Sequence, residues 1–127
     1  MHRALSPVLA LLPLLALAGT ARAQDTAADG EQIYRTRCAA CHALDPGQNR
    51  IGPPLAGVVG RAAGSVEGGR YTDAMRESGI VWDAETLDVY LANPRQRVPG
   101  TSMMFVLPDA AQRKAIIAFL RDRSAAE

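Results

Sequence analysis

Two cysteines, a histidine and the methionines carry most of the chemistry open to this sequence. Cys38-Ala39-Ala40-Cys41-His42 is a C-x-x-C-H run, the pattern of c-type haem attachment. On a helix, residues three and four apart share a face. Two thiols can therefore reach the two vinyl groups along one haem edge while His42 presents an imidazole nitrogen to the iron. Ala39 and Ala40 keep the intervening turn slim. Three other readings compete. A zinc site needs about four Cys, His or carboxylate ligands. The chain has only these two cysteines, and His42 is its only histidine apart from His2. A thioredoxin-like pair expects a βαβ setting, which the sequence lacks. A local disulfide gives His42 no role.

An iron held by one histidine has a second axial position to fill. Apart from the initiator, the methionines are Met75, Met103 and Met104. Met103 follows Pro99-Gly100-Thr101-Ser102, a turn that can aim one side chain inward, in a loop far enough along the chain to wrap round a haem. Adjacent residues cannot both point at the iron. Met75 suits the use of methionine as a core gap-filler.

The elements that must position these groups are short and helical. Residues 1–23 read as a secretory signal peptide: His2 and Arg3, an apolar run from Leu5 to Ala18, then Ala21-Arg22-Ala23 as a cleavage site. The apolar run is about 15 residues, short of the roughly 20 that span a bilayer. Residues 24–127 are expected to form a single domain. Past Ala23, 46 of 104 residues are hydrophobic and 17 of those are alanine. A chain of this size buries limited surface, so a large apolar cofactor would fill an otherwise thin core. The net charge of +1 becomes −1 without Arg3 and Arg22. That balance argues against a nucleic-acid binder and against intrinsic disorder. Two cysteines exclude a disulfide-dense scaffold.

Local signals place four helices. Asp29, with Gln32 three positions on, is expected to cap the first, which carries Ile33, Tyr34 and the Cys-His motif. Thr72 caps a short helix to Ser78, stopped by Gly79. Asp83 caps the next, with Leu87, Tyr90 and Leu91 on one face, and Asn93-Pro94 ends it. Asp109 and Gln112 open the last, whose apolar stripe is Ile116, Ile117 and Leu120, supported by Phe119. The glycine-rich stretch from Gln48 to Gly69 and the segment from Arg95 to Leu107 read as loops. Nothing alternates with period two, so the expected fold is all-α, small and loop-rich.

Pro99-Gly100-Thr101-Ser102-Met103-Met104-Phe105 resembles the methionine loop of class I cytochromes c, the mitochondrial type and its bacterial periplasmic relatives. The resemblance covers essentially the whole chain after the leader. It implies helices wrapped around one covalent haem c, with Cys38 and Cys41 as thioether sites and His42 and Met103 as iron ligands. Gly52-Pro53-Pro54-Leu55 is similar to the family turn whose proline carbonyl accepts the proton of the axial histidine, a role that falls to Pro53. Arg61, Tyr71 and Trp82 match propionate-contacting positions, where a buried carboxylate needs donors. Tyr90 matches a tyrosine beside the methionine sulfur, Thr101 a threonine near a propionate, and Phe105 the aromatic shielding the haem edge. Gly30 and Tyr34 match the point where the last helix crosses the first, with Ile116 and Phe119 as partners. Two departures stand out. Met75 occupies a position where close relatives carry asparagine. The basic rim of the mitochondrial type is thinned to Arg37, Arg50 and Arg95, with Lys114 the only lysine.

The resemblance implies a soluble, monomeric, periplasmic bacterial electron carrier rather than an enzyme. Its expected partners are a cytochrome bc complex, a terminal oxidase, a photosynthetic reaction centre or a periplasmic dehydrogenase, with no nucleic acid and no stable membrane insertion. The alternatives are a dedicated acceptor subunit of one periplasmic dehydrogenase and, more remotely, a haem peroxidase or gas sensor, which needs an open sixth position.

Overall fold

The computed structural model describes Thr26 and residues 29–125. The expected leader and its cleavage point after Ala23 lie outside the described residues. The described chain is helical, and its only extended pairing is a single antiparallel bridge between Ala62 and Val81. No described helix is long and apolar enough to cross a membrane.

The first helix, α1, is α-helical over residues 29–33 and widens into a π-helix at Tyr34–Cys38. The Thr36 hydroxyl donates back to the Gln32 carbonyl at 2.9 Å, a bond that competes with the backbone ladder and tends to distort helices. The wide turn closes where the Ala39 amide reaches the Tyr34 carbonyl at 2.9 Å. Asp29 is already helical, as is Thr26, so Asp29 is not the cap its sequence context suggests.

The next element, α2, is Asp73–Arg76, and Thr72 accepts from the Met75 amide at its start. It is shorter than the expected Thr72–Ser78 helix. Helix α3, Ala84–Ala92, opens on a reciprocal capping box between Asp83 and Thr86. Asn93 then ends α3 and also caps a further turn, α4, at Pro94–Arg97. The expected loop from Arg95 therefore begins as a helical turn. Proline is favoured in the first turn of a helix because its missing N–H has no partner to lose there, so Asn93-Pro94 stops one helix and starts another. Helix α5 is Ala110–Ala125, with Asp109 accepting from the Gln112 amide at 2.9 Å as expected.

Helix α5 holds the assembly together. It crosses α1 at Gly30, where a β-carbon would overlap the Ala115 carbonyl oxygen and lie 2.6 Å from Phe119 Cβ. The Tyr34 and Phe119 rings stack beside this crossing with centroids 6.1 Å apart. The nearest neighbours of Gly30 are thus Ala115 and Phe119, of which Phe119 is an expected partner and Ala115 is not. Successive helical residues point about 100° apart, and Ile116 is turned into the core, where it is 1% exposed. The core runs from Ile116, Ile117 and Leu120 through Leu87 and Tyr90 to Trp82, Met75 and Val58.

Candidate haem site

The C-x-x-C-H motif straddles the end of α1. Cys38 closes the π segment, and Cys41 and His42 follow in the next turn. The amides of Cys41 and His42 both donate to the Cys38 carbonyl, at 3.1 and 3.0 Å. The motif therefore keeps helical spacing although the regular helix has ended. Tyr34 ties it down from within, its hydroxyl donating to the His42 carbonyl at 2.9 Å.

His42 Nδ1 lies 2.8 Å from the Pro53 carbonyl oxygen. That oxygen can only accept, so Nδ1 carries the proton and Nε2 is left with a free lone pair. Burial lowers the His42 pKa, opposed by the Pro53 bond and reinforced by the nearby Arg61 charge. The imidazole is thus kept neutral, the state a metal requires. Burial also pushes the Cys38 thiol up to about 11, with Cys41 acting in the same direction. Both cysteines are free and neither is fully buried. Among the described residues there is no group of three or more His, Cys, Asp or Glu side chains able to hold a bare metal ion.

These groups open on a cavity of about 460 Å³. Of the residues singled out in the sequence, Cys38, Cys41, His42, Pro53, Arg61, Tyr71, Trp82, Tyr90, Thr101, Met103 and Phe105 line it, whereas Gly30, Tyr34, Phe119, Arg50 and Arg95 do not. Much of the remaining wall is apolar, with Leu55, Val58, Leu87, Ile116 and Leu120 among it. The cavity wall carries arginines but no acidic side chain among the described residues. Arg61 is braced by the carbonyls of Ala56 and Pro54, each 2.9 Å from a guanidinium nitrogen. Trp82 packs on Tyr90 with ring centroids 4.9 Å apart.

Three methionines reach this wall. Met75 is buried and Met104 is 64% exposed, while Met103 is half-buried. The Met103 amide donates to Thr101 Oγ1 at 3.3 Å, and that same oxygen lies 2.8 Å from Tyr90 Oη. Burial raises the Tyr90 pKa, with the Thr101 bond partly opposing it, so the phenol stays neutral.

The cytochrome c family model matches residues 27–124. A cytochrome c of Gibberella zeae is 48% identical over 95 residues, spanning 73% of this chain and 90% of its own. A cytochrome c2 of Blastochloris viridis is 39% identical over 120 residues, 93% of each chain. Among solved structures, cytochrome cH from Methylobacterium extorquens superposes with a TM-score of 0.70 at 41% identity, covering 76% of this chain and 97% of that one. Fold and sequence together define a class I c-type cytochrome. The chain belongs to the cytochrome c family, whose members are electron carriers holding a covalent haem c and its iron.

The residues present fit that group. The cavity is large and apolar, Gly52 leaves room for the His42 ring, and arginine, tyrosine and tryptophan donors are on hand for the haem carboxylates. Sequence reasoning missed part of this wall. Arg70 and Ile51 line it from loops that carry no periodic signal, whereas Thr72, in the Tyr71-Thr72-Asp73-Ala74 run that resembles a propionate-contacting segment, lines it as that resemblance implies. Leu87, Leu91 and Leu120 carry only helix-stripe signals in the sequence, and Ile116 lines the cavity as well. Met75, expected as a core filler, does both jobs: it is buried and it lines the cavity.

Proposed function

We propose that this protein is a soluble, periplasmic one-electron carrier in which Cys38 and Cys41 would hold the haem by thioether bonds and His42 and Met103 would ligate its iron. The iron supplies a one-electron couple, and the rest is done by the chain. Pro53 fixes the His42 ring and its tautomer. The Tyr90–Thr101–Met103 chain of hydrogen bonds holds the methionine backbone in place. With His42 and Met103 both engaged on the iron, no position would be left for a substrate, which would set the protein apart from a peroxidase or gas sensor. A thioether ligand and an apolar shell both disfavour the extra charge of the oxidised state, so the potential is high for a haem. Arg61, Tyr71, Trp82 and Thr101 serve the haem carboxylates, and Phe105 shields the edge. The leader over residues 1–23 delivers the domain of residues 24–127 to the periplasm of a bacterium.

The observation that carries this reading is the pairing of His42, its Nε2 left free by the Pro53 bond, with the half-buried Met103 on the wall of one cavity. Replacing Met103 by alanine is expected to abolish the thioether-to-iron absorption band and lower the potential, whereas Met104→Ala leaves both in place. A band that survives Met103→Ala overturns the assignment.

The partner is a redox protein presenting acidic groups, since the cavity lining carries Arg37 and Arg70 beside Arg61 and no carboxylate among the described residues. A cytochrome bc complex, a terminal oxidase or a photosynthetic reaction centre fits that description. The single lysine favours a second reading, in which the protein is the dedicated acceptor of one periplasmic dehydrogenase. Salt-dependent turnover with an oxidase, compared with a dehydrogenase, separates the two.

A further inference from the structure

The loop that carries Met103 is fastened to α3 at both of its ends. Where it begins, Tyr90 and Thr101 meet side chain to side chain and both are buried. Where it ends, the Leu107 amide donates to the Leu91 carbonyl at 2.8 Å. Between these points no backbone hydrogen bond to another described residue holds Met104, Phe105 or Val106. Apart from the packing of Met103 and Phe105 against the core, the position of this stretch depends on its two fastenings, and weakening either one favours its local opening.

The far fastening has a second component. Arg113, in the first half of α5, donates through Nε to Asp88 on α3 at 2.7 Å. Its Nη1 donates to the carbonyls of Leu107 and Pro108 at 3.0 and 2.7 Å. One guanidinium thus joins two helices and the last residues of the methionine loop. The Arg113 side chain is 13% exposed and that of Asp88 is 47%, so solvent screens the ion pair only in part. Charge-assisted bonds of this kind are stronger than neutral ones. The planar fork reaches several acceptors at once, which an ammonium does not.

We propose that Arg113, oriented by Asp88, is a positioning residue that latches the far end of the loop and so keeps Met103 on the haem iron. The proposal rests on Met103 being the sixth ligand. Releasing the latch raises the population in which the loop lifts, the thioether leaves and a competing small ligand enters.

The test uses the oxidised haem-loaded protein and added imidazole, whose binding is limited by departure of the native ligand. Arg113→Gln is expected to speed imidazole binding by roughly tenfold or more, the effect of losing bonds to a charged donor. Arg113→Lys gives a partial effect, and Asp88→Asn a smaller acceleration in the same direction. Thermal unfolding is followed in parallel. An Arg113→Gln protein that melts earlier but binds imidazole at the wild-type rate overturns the proposal, because a mere brace behaves that way. If Arg113→Gln does not fold, Asp88→Asn decides the matter, and an unchanged rate there also overturns it. Met103→Ala separates this claim from the one beneath it. Unchanged imidazole binding in Met103→Ala means the ligand assignment has failed, whatever the Arg113 variants do.

Discussion

Gly52 lies against the imidazole of His42 so closely that a β-carbon there would be 2.6 Å from Nδ1 and 2.8 Å from Nε2. The glycine is therefore part of the histidine's seat, immediately before the proline whose carbonyl accepts from the ring. Gly52→Ala is expected to push the ring off the Pro53 carbonyl and to destabilise the domain by about 1–3 kcal/mol, the usual cost of overpacking. Denaturant unfolding measures the loss, and a changed reduction potential reports the displaced ring. An alanine variant with wild-type midpoint and potential would show that the seat is slack.

Without haem the domain is expected not to fold stably. A largely apolar cavity of about 460 Å³ is far larger than the voids native cores tolerate, and a small domain has only about 5–15 kcal/mol of stability to lose. A Cys38→Ala, Cys41→Ala double variant should give a broad, non-cooperative denaturant titration. A sharp transition in the haem-free form contradicts this.

The contact between α1 and α5 makes a separate prediction. A methyl group at Gly30 meets the Ala115 backbone rather than the end of a flexible side chain, so the helices must move apart. Gly30→Ala should cost at least about 1–3 kcal/mol, outweighing the gain in helix propensity of roughly 1 kcal/mol. It should also disturb the stacking of Tyr34 on Phe119, visible as a change in the near-ultraviolet circular dichroism.

A pH dependence follows from the cap of α3. The Asp83 carboxyl is held below its ordinary value of 3.8, chiefly by the Thr86 amide and then by the Thr86 hydroxyl. A depressed carboxylate contributes stability that is fully present above its unfolded pKa and is lost as pH falls through its folded pKa. Asp83→Asn retains an acceptor but does not titrate. The stability difference between wild type and Asp83→Asn should therefore be constant down to about pH 5, and below it wild type should lose stability relative to the variant. A difference that shifts between about pH 5 and about pH 8 would contradict this assignment.

Much of the fold was legible because its signals are local. Thr72, Asp83 and Asp109 each accept from an amide three residues on, and such contacts lie within any short window of sequence. The alanine-rich, aromatic-poor core pointed to a missing filler, and the structure has a large cavity where one belongs. Asp29 was misread because the same local signal recurs inside a helix. The turn at Pro94 was missed because proline marks a helix start as readily as a stop.

What the sequence by itself determined is the chemistry on offer: two thiols and an imidazole at helical spacing, a methionine behind a proline-glycine turn, and the caps that begin the helices. These depend on spacing along the chain and on composition. The tertiary structure decided which distant groups serve that chemistry. It set the Pro53 carbonyl on His42, turned Ala115 toward Gly30 and Ile116 toward the cavity, and gave Arg113 its three acceptors on two other segments. The physical reason is rotational. One residue along a helix swings a side chain by about 100°, so a neighbour is fixed only once the helices have packed.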